Sequence, residues 1–113
     1  MIHLLDELTL DASDVKHVLR LLDEELLPGR AEPFPHLLNR WVSPPVVVPG
    51  VPTTLWLLWQ LPDVPAYYRM RGNPGSTPEV WPKLDRLCRE RRRHILTAAE
   101  AVLPTPEDTD HAG

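Results

Sequence analysis

Hydrophobic and polar residues alternate along residues 1–10. Alternation with a period of two is typical of a β-strand that buries one face. One parity is apolar except at Asp6, and the other parity mixes polar and apolar side chains. The apolar parity comprises Ile2, Leu4, Leu8 and Leu10, and the mixed parity comprises His3, Leu5, Glu7 and Thr9. The pattern predicts a strand over Ile2–Leu10 with one buried and one mixed face.

A helical period follows this strand. Apolar residues recur at helical spacing from Val15 to Leu26. Asp11 or Ser13 can cap the first turn, because a short oxygen-bearing side chain accepts hydrogen bonds from the free N–H groups there. The sequence Pro28-Gly29 is typical of a helix end. The pattern therefore predicts a first helix that stops at this dipeptide.

Two further strands are predicted on either side of a proline-rich loop. His36–Ser43 alternates, whereas the prolines of Pro44–Pro52 lack the N–H donor that a central strand needs. Thr53–Leu61 is apolar on both parities between Leu55 and Trp59. A strand that is apolar on both faces must be covered on both faces.

Helices are predicted again after the third strand. Asp63 can cap a short helix that runs to Gly72, and Thr77-Pro78-Glu79 is a typical helix start. The apolar face of the later helix is predicted at Trp81, Leu84, Leu87 and Cys88.

The C-terminal part permits two interpretations. Either the helical stripe continues to Val102, or the helix ends near Arg91 and His94–Val102 forms a last strand. Local helix propensity favours the first interpretation, and the topology of the sheet favours the second.

The order of these elements predicts an α+β protein with a ferredoxin-like antiparallel sheet and helices on one face. The other face keeps Trp56 or Trp59 uncovered, which exceeds the apolar patch that soluble monomers usually expose. Covering each Trp contributes roughly 4–6 kcal/mol as an upper bound. A second copy related by a twofold axis is the simplest cover. We therefore expect a homodimer with room for a cavity between its two sheets.

Several short segments follow one another in an order that is typical of a known superfamily. They are Ile2–Leu10 before a helix, Leu58-Trp59 before Pro62-Asp63, Tyr68–Arg71, Asn73-Pro74, Pro78–Trp81 at the last helix, and His94–Leu96 before Pro104. On these segments the chain resembles the dimeric α/β-barrel superfamily, most closely NIPSNAP-like domains and more loosely EthD-like and antibiotic-biosynthesis-monooxygenase-like domains. The resemblance covers residues 1–104, implies a barrel made by two copies, and implies that His94–Val102 is the fourth strand. Residues 105–113 are predicted to form a flexible acidic tail.

Composition and charge exclude several classes of protein. A chain of 113 residues corresponds to one domain. Its net charge of -4 excludes a protein that binds nucleic acid through overall positive charge. The single cysteine cannot form an internal disulfide, and no apolar run reaches the roughly 20 residues of a membrane span. We therefore expect a cytoplasmic protein with no nucleic-acid or membrane partner.

Candidate catalytic groups lie on the mixed face of the first strand. His3 is a candidate base or hydrogen-bond donor, with Glu7 as its charged partner. The alternative places both side chains at a solvated rim or in the dimer interface. Tyr67 and Tyr68 are about 100° apart on a helix, so only one is expected to point inward. Tyr67 is the candidate catalytic residue of the two.

Aromatic side chains suit a flat apolar ligand, although most of them can equally belong to the core. Asn39 shares a parity with Trp41 and is expected to line the cavity, whereas Arg40 lies on the opposite face. The candidate ligand-binding residues are Asn39, Trp41, Trp56, Trp59 and Tyr68.

No metal ion or cofactor is expected. The histidines lack the spacing of metal ligands, and no glycine-rich phosphate loop is present. Some haem-degrading relatives use a histidine on the second helix, and Val64–Arg93 contains none. Between Arg69 and Arg93, eight basic residues stand against three acidic ones. This segment either binds an anion or forms a solvated helix end whose cations favour the helix dipole.

The resemblance implies a small cofactor-independent enzyme of the monooxygenase, cyclase or isomerase type. Its expected substrate is an aromatic, polyketide-like or steroid-like small molecule within the barrel. The alternative is a non-catalytic module that binds a small molecule or assembles with a partner protein. A cavity of at least roughly 300 Å³ lined by His3 or Glu7 favours the enzyme, and a solid interior favours the module.

Overall fold

The computed structural model describes residues 1–28, 35–72 and 80–102, which form an antiparallel sheet with helices on one face. The strands are β1 (Ile2–Leu10), β2 (His36–Ser43), β3 (Thr53–Leu61) and β4 (Cys88–Thr97). Their order across the four-stranded sheet is β2-β3-β1-β4. Each neighbouring pair is antiparallel. The predicted α+β, ferredoxin-like fold is confirmed.

The helices are α1 (Val15–Leu21), α2 (Val64–Arg71), α3 (Val80–Leu87) and the single turn α4 (Ala99–Val102). A 3-10 turn precedes α1, and a π-helical turn, Leu22–Leu26, follows it. None of the helices in the described ranges is long and apolar enough to cross a membrane.

The two predicted helix caps have different outcomes. The Asp63 carboxylate accepts a hydrogen bond from the backbone N–H of Ala66 at 2.8 Å, so the predicted cap of α2 is confirmed. Asp11 occupies the cap position of the 3-10 turn that precedes α1, without a capping hydrogen bond. Its carboxylate instead pairs with Arg89 on β4. Ser13 lies inside the 3-10 turn and does not cap it either.

The core lies between the sheet and the helices. Burial alternates strictly along β1 and β3, so every second side chain of each strand faces the helices. α1 contributes Val18, the π-helical turn contributes Leu22 and Leu26, and α3 contributes Leu84. Trp59 is the largest fully buried side chain. The alternation read from the sequence therefore identifies the core face of β1 correctly, whereas the core face of β3 is not predicted because both of its parities are apolar.

The structure of the C-terminal part corrects two sequence predictions. α3 ends at Leu87 and β4 runs over Cys88–Thr97, so the last strand begins before His94 and ends before Val102. Cys88 is therefore the first residue of a strand and not part of a helix face, and the following arginines do not form a helix end. Part of the reason is non-local, because Arg89 pairs with Asp11 and Arg93 pairs with Asp6, both of which are distant in the sequence.

Some predicted features lie outside the described residues. They are Gly29 at the end of the first helix, Asn73-Pro74, the helix start Thr77-Pro78-Glu79, and the tail over residues 105–113.

Candidate functional site

The face of the sheet opposite the core carries most of the candidate residues. Its side chains are half-buried in β1 and β3 and exposed in the edge strands β2 and β4. We call this surface the open face. The open face is formed by His3, Leu5, Glu7 and Thr9 of β1, Thr54, Trp56, Leu58 and Gln60 of β3, His36, Asn39, Trp41 and Ser43 of β2, and Glu90, Arg92, His94 and Leu96 of β4.

The strand register builds an aromatic surface beside a carboxylate. Trp41 lies directly opposite Trp56 across β2 and β3, and Trp56 lies directly opposite Glu7 across β3 and β1. In the next row, Leu58 lies opposite Leu5. Directly opposed side chains on one face touch one another. The centre of the open face is therefore aromatic and apolar, with one acidic edge.

Glu7 forms a pair with a histidine of β4. His94 lies opposite Leu5 in the register, diagonal to Glu7, and its Nε2 is 3.3 Å from Oε2 of Glu7. When Nε2 carries the proton, it donates to the carboxylate, and Nδ1 keeps a free lone pair. The side chains of Glu7 and His94 are 27% and 45% exposed, so the pair is accessible to a ligand.

This pair corrects the predicted role of His3. The sequence prediction made Glu7 the charged partner of His3. Four residues along a strand span about 13 Å, too far for direct contact. His3 lies opposite Gln60 on β3 and Leu96 on β4. His3 therefore shares the open face with Glu7, but the partner of Glu7 is His94.

The structure brings five predicted site residues together on the open face: His3, Glu7, Asn39, Trp41 and Trp56.

The other three predicted site residues lie on the helix side of the sheet. Trp59 is 1% exposed within the core. Tyr67 and Tyr68 belong to α2, where Tyr67 packs against the core and Tyr68 is exposed. Arg71 stacks on the ring of Tyr67 at 5.8 Å. A single ligand on the open face therefore contacts none of these three within one chain.

A buried charged network on the helix side was not foreseen from the sequence. Asp6 is 1% exposed and accepts a hydrogen bond from Nε1 of Trp59 at 2.9 Å. Arg93 on β4 donates to both carboxylate oxygens of Asp6, at 2.6 and 2.8 Å. The ring of Trp81 on α3 stacks against Arg91 and Arg93. The only sequence signal was the charged residue that interrupts the apolar parity of β1.

Solved structures with the same fold come from several bacteria. An uncharacterized NIPSNAP domain protein from Burkholderia xenovorans matches 93% of this chain and 100% of its own, with a TM-score of 0.65 and 16% identity. A NIPSNAP family protein from Agrobacterium tumefaciens covers 93% of each chain, with a TM-score of 0.60 and 18% identity. A Deinococcus radiodurans protein, described as a candidate antibiotic biosynthesis monooxygenase, covers 93% of this chain and 99% of its own, with a TM-score of 0.59 and 21% identity.

The chain shares its fold with these three solved structures. The fold that the resemblance implies is therefore confirmed. No protein-family model and no curated protein matches the sequence.

The arginine-rich run of β4 is paired with acidic side chains. Each of its four arginines has a carboxylate partner. The pairs are Arg89 with Asp11, Arg91 with Asp85, Arg92 with Glu90, and Arg93 with Asp6. The run therefore presents little unpaired positive charge to an anionic ligand.

Two clefts in the described part of the chain lie away from the open face. One, of about 440 Å³, lies between the β1–α1 turn, the β2–β3 loop and Arg89. The other, of about 380 Å³, lies between α1 and α3 and is bounded by His17 and Lys83. Neither is lined by His3 or Glu7. Glu7 and His94 lie partly exposed on the open face, so enclosing them requires a second cover.

Metal and thiol chemistry find no support in residues 1–28, 35–72 and 80–102. No three His, Cys, Asp or Glu side chains in these ranges converge as a metal-binding group. Burial raises the pKa of the Cys88 thiol to about 11, and the neighbouring Asp85 carboxylate adds to the rise. A thiol with a raised pKa is a poor nucleophile at neutral pH, because the thiolate is the reactive form.

Proposed function

We propose that the protein is a small homodimeric, cofactor-independent enzyme of the monooxygenase, cyclase or isomerase type. Its substrate is a flat aromatic, polyketide-like or steroid-like molecule that lies on the open face. The observation that carries this proposal is the Glu7–His94 pair next to the Trp41–Trp56 surface. A structural neighbour described as a candidate antibiotic biosynthesis monooxygenase is consistent with chemistry on such a fold.

The second copy encloses the site. Two sheets that pack face to face lie about 10 Å apart, which leaves room for side chains or for a flat ligand between them. The open face presents Leu5, Trp56 and Leu58 at its centre. Burying this apolar surface stabilises the dimer and removes water from around Glu7 and His94. Removal of water strengthens the electrostatic interaction between a general base and its carboxylate partner.

A proton transfer is the step that the three reaction types share. With Nε2 held by Glu7, Nδ1 of His94 accepts a proton from an acidic C–H or O–H of the substrate. Glu7 stabilises the imidazolium that forms, as a carboxylate does for the histidine of a catalytic triad. The resulting enolate or phenolate is protonated at another carbon in an isomerase, attacks a carbonyl group in a cyclase, or reacts with dioxygen in a monooxygenase.

The proposal is tested with 2-tetralone, a flat bicyclic ketone with acidic C–H bonds. Exchange of these hydrogens for deuterium in D2O is followed by NMR with and without the protein. We expect the protein to accelerate exchange and His94→Gln or Glu7→Gln to reduce the acceleration by at least tenfold. The matched control is His17→Gln, because His17 is an exposed histidine on α1.

Binding is measured separately from exchange. Trp56→Ala removes an aromatic surface from the open face and is expected to weaken binding of 2-tetralone, followed by tryptophan fluorescence. Binding without any acceleration of exchange contradicts the enzyme and supports the non-catalytic binding module. Acceleration that survives in both His94→Gln and Glu7→Gln contradicts the assigned pair.

A further inference from the structure

The open face alone does not fix the position of β4 along β1. In the observed register, Leu5 lies opposite His94, and Glu7 lies opposite Arg92. A shift of β4 by two residues keeps every side chain on its own face. One such shift places Leu96 opposite Leu5 and His94 opposite Glu7. An apolar pair and a histidine–carboxylate pair are favourable, so this face accepts the shifted register.

That shift is unfavourable on the core face. In the observed register, Arg93 lies opposite Asp6 and donates to both oxygens of its carboxylate. The shift places Ile95 opposite Asp6 and moves Arg93 to a position opposite Leu8. Asp6 is 1% exposed, so its buried charge loses the guanidinium that neutralises it. An unpaired buried charge is strongly destabilising.

The opposite shift is unfavourable on the open face. It places Arg91 opposite Asp6, which preserves an ion pair, but it places Glu90 opposite Glu7. Like charges directly opposite one another destabilise a sheet. Of the three registers, only the observed one satisfies the buried carboxylate without a like-charge pair.

We propose that the Asp6–Arg93 pair determines the register of β4 and thereby positions His94 beside Glu7 on the opposite face. Asp6 and Arg93 are positioning residues for the open face and are not themselves part of it. Other contacts hold both partners, since Nε1 of Trp59 donates to Asp6 and the ring of Trp81 stacks on Arg93 at 5.5 Å. The inference concerns strand pairing and does not depend on the proposed function.

Transposing the arginine provides the sharpest test. The double variant Arg93→Ile/Ile95→Arg has the composition of the natural chain, but its arginine reaches the position opposite Asp6 only when β4 shifts by two residues. Interstrand NMR contacts between backbone protons report which residues lie opposite one another. We expect Leu5 to lose its contact with His94 and to gain one with Leu96. Retention of the Leu5–His94 contact overturns the proposal.

A second variant tests the pair without a transposed charge. Asp6→Leu/Arg93→Leu replaces the buried ions with apolar side chains, which is often neutral or stabilising. We expect this protein to fold and to show both sets of contacts, because its open face accepts either register. If it shows only the observed register, the proposal is wrong, whether or not the transposed variant folds.

The matched control removes an ion pair that does not touch β4. Lys83 and Glu25 form a salt bridge of 2.7 Å between α3 and the π-helical turn. Lys83→Leu/Glu25→Leu is expected to keep only the observed contacts. A register shift in this control contradicts the assignment to Asp6 and Arg93, because it shows that the loss of an unrelated ion pair is enough to shift β4.

Discussion

Trp56 and Trp59 are three positions apart on β3 and lie in different environments. Trp59 is buried and donates to the Asp6 carboxylate, whereas Trp56 is half-buried on the open face. Trp59→Phe removes a hydrogen bond to a charged group and leaves unfilled volume in the core, so we expect a loss of about 2–4 kcal/mol in unfolding free energy. Urea unfolding at a fixed protein concentration measures this loss.

Trp56→Phe is the matched variant. It keeps an aromatic ring on the open face and removes no hydrogen bond to Asp6, so its loss is expected to stay below about 1 kcal/mol. Equal losses for the two variants contradict the assignment of Trp59, and not Trp56, to the core.

Cys88 provides a second prediction for a single residue. Because burial raises the pKa of its thiol to about 11, the thiol stays protonated at pH 8 and the reactive thiolate is scarce. We expect the folded protein to react with a disulfide reagent such as 5,5′-dithiobis(2-nitrobenzoic acid) about 100-fold more slowly than the urea-unfolded protein at pH 8. Equal reaction rates in the folded and unfolded states contradict a buried thiol with a raised pKa at Cys88.

The cap of α2 gives a prediction for an element. Asp63→Ala removes the hydrogen bond to the N–H of Ala66, and we expect a loss of about 1 kcal/mol in unfolding free energy. Asp63→Asn retains a side-chain oxygen and is expected to keep most of the stability. Chemical unfolding followed by circular dichroism compares the two. If both variants lose the same amount, the side-chain oxygen is not what stabilises this turn.

Elements with a strong period are predictable from the sequence, and those that depend on distant partners are not. The alternation in Ile2–Leu10 predicts β1 together with its core face, whereas the apolar run in Thr53–Leu61 predicts β3 without showing which of its faces is the core face. The start of β4 at Cys88 does not follow from Cys88–Arg93 alone. This segment is polar and arginine-rich, and two of its partners, Asp6 and Asp11, are distant in the sequence.

The candidate site is also predictable from the sequence only where local pattern is sufficient. Parity within a strand is sufficient to place His3 and Glu7 on one face and to group Asn39 with Trp41. It does not identify His94 as the partner of Glu7, because that contact depends on the register between β1 and β4. The sequence also does not reveal that Trp59 lies on the core side, since both parities of β3 are apolar.

At the scale of the whole molecule, the open face is the feature that a single chain leaves without cover. Leu58→Lys places a charge at the centre of this surface, and we expect it to convert a dimer into a monomer, because burying an unpaired charge between two sheets is costly. Tyr68→Lys changes an exposed residue on the helix side and is expected to leave the dimer intact. Light scattering coupled to size-exclusion chromatography distinguishes the two. A dimer that persists in Leu58→Lys places the interface elsewhere.

Sedimentation equilibrium of the unmodified protein measures whether two open faces cover each other in solution. The mass of one chain is 12.9 kDa. We expect the protein to sediment with twice this mass at micromolar concentrations, with the apolar centre of each open face sheltered by the other copy. A protein that sediments with the mass of one chain under these conditions contradicts the dimer and the enclosed site that depends on it.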